Sequence, residues 1–547
     1  MKTSDIAVPV VALMAVSLCL GGCQKSQEAI ADSGPSLDAA SEEDASGETG
    51  TDGDADSDSD TDVDTDSDND SDTDADTDAD ADSDAGSDAA SGGAYAWHTF
   101  HGSDDTGHDI AVDAQGNLYI AGQSWAGWNG PSGENPLHPY SGDSDIVVLK
   151  LSRTGDYLWH AFYGTGDFEA GVGITLDNGG NIYVTGFSKQ SWTGPDGQSP
   201  LHAHSGGYDI VVLKLSPTGD YQWHTFYGAS GDDDLSSGIA VDQSGNTYIT
   251  GSSYLTWNGP TGKTPLHPHS GGADLFALKL SSDGDYQWHT FYGSGPLISD
   301  SGQGIAVDGQ GNAYITGQSW GSWNGPLDEA PLHTHSGSVD LFVLKLSTDG
   351  DYRWHTFYGS SSGDFGVGIA TDLGGSLYVI GGSEASWIGP DGQNPLQAYQ
   401  GDLLLLKLST DGDYQWHTFY GSGEHNLAES SHDLGVDLQG NIHVTGTSST
   451  SWTGPDGENP LNAHSGPLDG GVPNGDIFVL KIAGNGAYQW HTFHGSIDSD
   501  YGEGIALDSN GTVYITGNSY SNWLGPSGQS PLHAFSGSND IAVLRLK

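Results

Sequence analysis

The chain has 547 residues, with 84 Gly, 16 Trp, only 14 Lys plus Arg, and a formal net charge of −60. Of its 74 Asp and Glu, 26 fall in residues 1–93, which leaves 48 acids against 12 basic residues, a formal −36, in 94–547. Nucleic-acid binding is excluded, because such proteins neutralise phosphate with clustered Lys and Arg and this chain repels it.

The N-terminus reads as an address. Lys2 precedes an apolar run from Ile6 to Leu20, too short to span a bilayer comfortably. The run ends Leu20-Gly21-Gly22-Cys23, which resembles a bacterial lipobox: small residues fit a peptidase groove, and the Cys23 thiol accepts diacylglycerol. Residues 1–22 are then a lipoprotein signal peptide and Cys23 the lipid-attachment site. Cys19 leaves with the signal, so no disulfide framework is expected. Stable anchoring needs more than one acyl chain, as bacterial lipoproteins provide. Gln24 resembles the residue that directs such proteins to an outer membrane. The expected location is the outer membrane, lipid-anchored, at the cell surface.

Residues 23–93 carry no apolar periodicity, and from Asp52 to Asp84 nearly every second residue is Asp. Such a segment buries too little apolar area to offset chain entropy and is expected to be a disordered acidic linker. The D-x-D spacing lacks the Gly and Glu positions of an EF-hand loop. Diffuse Ca2+ binding is the only cofactor expectation.

Internal repetition then sets the fold. One period reads GIAVDGQGNAYITGQSWGSWNGPLDEAPLHTHSGSVDLFVLKLSTDGDYRWHTFYG, residues 304–359. GIAVD is a short, nearly all-apolar strand of the kind buried on both faces, GQGN a turn, and NAYITG the returning strand. After a long loop, DLFVLKLS is the third strand, STDGD a tight turn and YRWHTFYG the fourth. Each unit is a four-stranded antiparallel meander of about 62 to 74 residues, stable only when stacked on others. Trp-His pairs mark seven copies, from Trp97-His98 to Trp490-His491. A third-strand cation (Lys150, Lys214, Lys279, Lys345, Lys407, Lys481, Arg545) recurs in each, expected to pair with a blade carboxylate such as Asp113, Asp177 or Asp242.

The chain ends in a third strand, DIAVLRLK, with no fourth, and the first copy, YAWHTFHG, is a fourth strand with no third. Closing a ring lets each complete the other and leaves no edge unpaired. The expected fold is all-β: a seven-bladed β-propeller over 94–547 whose N-terminal strand completes the last blade. The pattern W-x-T-F-x-G…G-I-A-V-D-x-x-G-N-x-Y-I-T-G resembles the bacterial β-propeller repeat known as SBBP, and more distantly NHL-type blades. The resemblance covers 94–547 and implies a propeller without implying an activity. It also implies that the fourth-to-first and second-to-third loops share one rim.

Three sets of residues are candidates for a site. Trp128, Trp192, Trp257, Trp323, Trp387, Trp452 and Trp523 lie in the second-to-third loops. Beside polar residues they suit stacking on sugar rings, or alternatively hold their loops down between blades. His202/His204, His267/His269 and His333/His335 have H-x-H spacing, but Gln397, Asn462, Tyr399 and Phe535 replace them elsewhere, so no metal site is expected. Blade six departs from the pattern: its lengthened loops bring Glu424, His425, Glu429, His432, Asp433 and Asp469 toward one neighbourhood, where a single-copy function would sit.

No catalytic residue is assigned. Gly317-Gln318-Ser319-Trp320-Gly321 matches G-x-S-x-G without the required strand-turn-helix elbow. STDGDYQW differs from the sialidase Asp-box by one position, and Arg153, Arg353 and Arg545 do not supply a carboxylate-binding triad. The leading expectation is a monomeric, membrane-tethered protein that binds or adheres to a glycan or protein ligand. The alternatives are a polysaccharide-active enzyme and a structural envelope component.

Overall fold

The computed structural model describes residues 92–547 apart from 402, 423–428 and 467–473. Cys23 and the Asp-rich linker lie outside the described residues. Among those described, 28 strands form seven four-stranded sheets, each in simple meander order except one. That exception is β1 (Tyr95–His101), which pairs antiparallel with β28 (Asp540–Leu546) and so completes the sheet of β26 (Asp500–Leu507) and β27 (Val513–Ser519). His98 lies opposite Leu544 and Phe100 opposite Ala542. The seven-bladed ring closed between its termini is therefore the fold.

The closure reaches one residue beyond the strands. Gly93 N donates to Lys547 O at 2.5 Å, and Lys547 N donates to Ala94 O at 2.8 Å. Gly93 has φ +96, and a Cβ there would come 2.9 Å from the Trp490 ring. Gly155, in the third-to-fourth turn of blade one, meets Trp97 in the same way, with φ +87. Both a left-handed backbone and close approach require glycine here. Gly93, two residues before the first strand, thus copies the turn glycine that packs each blade against the fourth-strand Trp of its neighbour.

Burial explains the strand composition. The third strands are clamped on both faces: β4 (Asp145–Leu151), DIVVLKL, is buried at all positions but Lys150. Second strands such as β3 (Leu118–Ser124) are also fully buried. The first strands differ from expectation. β14 (Asp300–Val307) begins four residues before GIAVD and is only half buried. It is the innermost strand of its blade, with its edge toward the propeller axis instead of a fifth neighbour.

The third-strand cations do not chiefly serve blade carboxylates. Lys150 Nζ donates to Pro217 O of the next blade at 2.8 Å, Lys214 to Ser282 O at 2.7 Å, and Lys345 to Thr410 O at 2.7 Å. Each also lies over a second-strand Tyr ring, 4.6 Å away for Lys150 over Tyr119. Carboxylates come within 4.0 Å only for Lys279 with Asp242 and Lys481 with Asp437, among the described residues. The reason is local. Asp242 is spent in its own turn, accepting from Ser244 N, Asn246 N and Asn246 Nδ2.

At the loop rim each described interface buries acids against acids. Asp340 Oδ1 and Asp364 Oδ2 both converge on Gly359, 2.8 Å from where its Cβ would sit, and both residues are fully buried. Asp209 with Asp234, Asp274 with Asp300 and Asp476 with Asp500 repeat the arrangement at Gly228, Gly293 and Gly495. Burial pushes Asp234 and Asp500 up to about 7, and Asp300 and Asp364 up to about 6. A carboxyl whose folded pKa is raised favours folding while protonated, and this advantage is lost as pH rises through that value.

Asp340 Oδ2 accepts from Ser336 N, while Oδ1 has no partner. Asp340→Asn places an N–H at the unpartnered position, facing Asp364. It is expected to stabilise the fold by about 1 kcal/mol at pH 8 and by less at pH 5, where Asp364 already holds a proton; melting curves at the two pH values check this.

Candidate functional site

The long second-to-third loops do not stand up from the rim. Each folds down along the outer edge of its own blade, onto the fourth strand. In blade one, Leu137 N donates to His160 O at 2.9 Å and Phe162 N to His138 O at 3.0 Å, both on β5 (Tyr157–Tyr163). The same pair of bonds joins Leu201 and Phe226 to their partners in blade two, and Leu532 and Phe100 in blade seven. An exposed sheet edge is a template for unwanted pairing, and here the loop covers it.

The loop tryptophans are the pins of this cover. Trp128 stacks on His160 with centroids 3.7 Å apart, Trp257 on His289 at 4.0 Å, and Trp523 on His98 at 3.6 Å. Trp192, Trp323, Trp387 and Trp452 stack on His224, His355, His417 and His491 in the same manner. The imidazole is held at both nitrogens: His289 Nε2 meets Trp257 O at 3.1 Å, and Nδ1 meets Tyr286 OH at 2.7 Å. Because a carbonyl only accepts, Nε2 carries the proton and Nδ1 accepts from the tyrosine. Burial pushes His289 down to about 4, so the ring is neutral.

One face of every loop Trp is thus taken by a histidine, and six of the seven rings are buried; Trp128 is half-buried. Beside it is a hollow of about 270 Å³ lined by Asn129, Pro136, Pro139, Tyr140 and Phe162. The H-x-H residues secure the same loops. His202 Nδ1 bonds Phe226 O at 2.8 Å and His204 Nε2 bonds Ser188 O at 3.0 Å. Ser319 of the G-x-S-x-G match is buried, and its Oγ is hydrogen-bonded between Asp300 and Gly321 O.

The blade-six residues Glu424, His425 and Asp469 lie outside the described residues, as does the side chain of Glu429. His432 is described, and it leads to a site at the axis. All seven first strands carry a β-bulge at one position, and a bulge re-aims the extra side chain. The bulged residues, in ring order, are His108, Val172, Ser237, Gln303, Val367, His432 and Glu503. The next position is Gly in five blades but Asp109 in blade one and Asp433 in blade six. Blades six, seven and one are consecutive around the ring, so the charged residues share one arc.

The arc is hydrogen-bonded across blades. His432 on β22 (Glu429–Val436) bonds through Nδ1 to Glu503 Oε2 on β26 at 2.7 Å, and through Nε2 to Ser430 Oγ at 2.8 Å. Asp433 Oδ2 accepts from Ile505 N at 2.9 Å, and Asp109 Oδ2 accepts from Ile174 N at 2.7 Å, each bridging to the next blade. His108 Nε2 is buried without a hydrogen-bond partner.

Burial by itself would lower His432, but Glu503 and Asp433 hold it above its ordinary value. Burial would raise Glu503, and His432 with His108 overcome it and lower the carboxylate. Burial lowers His108. Burial also raises Asp109, which the Asp433 charge raises further, and pushes Asp433 to about 7. Five mutually shifted groups on one arc beside the axis mark a functional-site candidate.

The family model for the SBBP β-propeller repeat matches residues 98–127, 222–254, 287–322 and 489–523. Those four segments carry the SBBP β-propeller repeat, and the fold around them has seven blades. It is similar to the regulatory protein FlaEY of Caulobacter vibrioides, 24% identical over 419 residues, covering 73% of this chain and 41% of that one. It is also similar to an uncharacterized WD repeat-containing protein of Acanthamoeba polyphaga mimivirus, 23% identical over 459 residues, covering 69% and 31%. The chain therefore spans well under half of each of these curated relatives. Among solved structures, the periplasmic gluconolactonase PpgL of Pseudomonas aeruginosa aligns over 78% of this chain and 99% of its own, at 10% identity and TM-score 0.39.

Within this propeller, sequence reading reached His432 and Asp433 through the lengthened loops, and missed His108, Asp109 and Glu503. The available signal was a column comparison of the seven G-I-A-V-D segments. The pair of residues before the Ile or Leu of this segment ends in Gly in five copies, with Glu first in blade seven, and is His-Asp in blades one and six.

The Trp–His stack generates a pH prediction. A histidine with its folded pKa depressed to about 4 supports folding above its unfolded value, and that support is lost as pH falls from about 6.5 toward 4. His289→Gln is expected to melt below the parent protein at pH 7.5, with the gap narrowing by pH 5. Trp257→Ala is expected to cost about 3–5 kcal/mol in denaturant unfolding at neutral pH.

Proposed function

We propose that this SBBP propeller is a recognition module displayed at the cell surface, lipid-anchored through Cys23 and held off the membrane by its acidic segment. Its ligand site is the axial mouth on the arc of blades six, seven and one. The observation that carries this reading is the broken symmetry of the axial ring. Val172 and Val367 serve where only packing is needed, whereas His432 and Glu503 place a hydrogen-bonded pair, and His108 an unpartnered ring nitrogen, at the equivalent bulges. Structural needs alone are met in five blades by glycine at the position that Asp109 and Asp433 occupy.

A glycan is the ligand class that fits best. Carboxylate, imidazole and the Ser430 hydroxyl offer alternating acceptors and donors to sugar hydroxyls, while the formal −36 of residues 94–547 disfavours anionic ligands. A glycan array probed with the purified protein tests this. Binding is expected to fall tenfold or more in Glu503→Ala and to persist in His333→Gln, whose position lies in an outer loop. Binding of a protein ligand at the same residues would move the ligand class and keep the site. Glycan binding that survives Glu503→Ala would remove the axial assignment.

A further inference from the structure

We propose that the axial site also cleaves carboxylic esters, with Ser430 as nucleophile, His432 as general base and Glu503 as the residue that orients the base. This goes beyond binding, and it rests on the axial mouth being the ligand site. The geometry is that of a hydroxyl–imidazole–carboxylate relay. Ser430 Oγ lies 2.8 Å from His432 Nε2, and His432 Nδ1 lies 2.7 Å from Glu503 Oε2.

The direction of the relay follows from what each atom can do. Glu503 as a carboxylate only accepts, so Nδ1 carries a proton. The neutral ring then presents Nε2 as a lone pair to the Ser430 hydroxyl. This is the tautomer a general base needs, and a neighbouring blade selects it. Among the described residues, only blade six supplies the Ser-His pair, and blade seven the carboxylate beside it. Val172 and Val367 replace the imidazole in blades two and five, and Gln303 in blade four donates to Ser301 Oγ without any basic nitrogen. Blade one has His108, with Thr106 two residues before it, and its Nε2 bonds no carboxylate.

Access sets the substrate class. Ser430 is the second residue of β22, at the loop-rim end, and His432 lies one pleat deeper. Deeper still, the first strands touch: a Cβ on Gly504 would come 2.8 Å from Asp109 Cα, and one on Gly304 would come 2.8 Å from Val367 O. A substrate enters from the rim and reaches Ser430 with a short acyl group. The surrounding Asp109, Asp433 and Glu503 favour an uncharged ester over an anionic one.

In the first step Oγ bonds the ester carbonyl carbon while His432 Nε2 takes the hydroxyl proton. Collapse breaks the carbon–alkoxy bond, and His432 returns that proton to the departing alcohol. Water then repeats the sequence on the acyl-serine and releases the carboxylic acid. His108, whose Nε2 bonds nothing in the resting site, is the neighbouring group with unspent hydrogen-bonding capacity.

The test treats the full-length protein with a fluorophosphonate probe and, separately, with p-nitrophenyl acetate. The expected result is a covalent adduct mapped to Ser430 and ester turnover that Ser430→Ala reduces to background without lowering the melting temperature. Turnover should rise with pH as His432 loses its proton. The groups facing that ring are Glu503, Asp433 and His108, so Glu503→Gln should lower the rate about tenfold or more and move the inflection to lower pH. A purely structural Glu503 would leave the inflection in place. No adduct at Ser430, or turnover unchanged in Ser430→Ala, overturns the proposal. If a ligand still binds in a Glu503-dependent way under that outcome, hydrolysis fails alone and the recognition reading stands.

Discussion

The ladder between β1 and β28 is the contact on which the rest of this molecule depends. Each blade is a sheet with two apolar faces, and neither face is satisfied unless another blade lies against it. A linear stack would leave two such faces in water. Pairing the first strand with the last converts the stack into a ring, and no blade is terminal. Gly93 extends the join by standing in for a turn glycine, so the seam packs on Trp490 as the other interfaces pack on their own tryptophans.

Once the ring is closed, repetition works at two radii with different consequences. At the outer radius every blade has the same problem, an exposed fourth strand, and every blade solves it with the same folded-down loop, Trp–His stack and Tyr hydroxyl. Identity there reflects a shared packing task. At the axis the first strands converge until a Cβ on Gly238, Gly304 or Gly504 would come within 3.0 Å of the neighbouring blade's backbone. The bulged residue beside that glycine is the one position aimed inward and free of ladder partners, and it is there that the seven copies diverge. His108, His432 and Glu503 exploit this freedom, and Asp109 and Asp433 turn the clearance position into bonds between blades.

The electrostatics follow the same geometry. The rim acids are buried facing one another, and the third-strand lysines turn toward backbone carbonyls and tyrosine rings. The protein therefore carries unneutralised carboxyls inside its interfaces, held by Ser hydroxyls and backbone N–H groups. At the axis an imidazole and a carboxylate from adjacent blades meet directly, 2.7 Å apart.

Local sequence alone determined the strand order, the blade count and the closure. Seven Trp-His copies and two complementary half-blades at the ends admit one arrangement of a meander whose edges must pair. It also identified blade six as the asymmetric one. It could not place the loop tryptophans, because whether a loop rises from a rim or folds against an edge depends on hydrogen bonds between residues such as Leu137 and His160, which are 23 positions apart. Nor could it join His432 to Glu503. They occupy the same column of consecutive repeats, 71 positions apart, and only the packing of blade six on blade seven with coincident bulges makes them neighbours beside the axis.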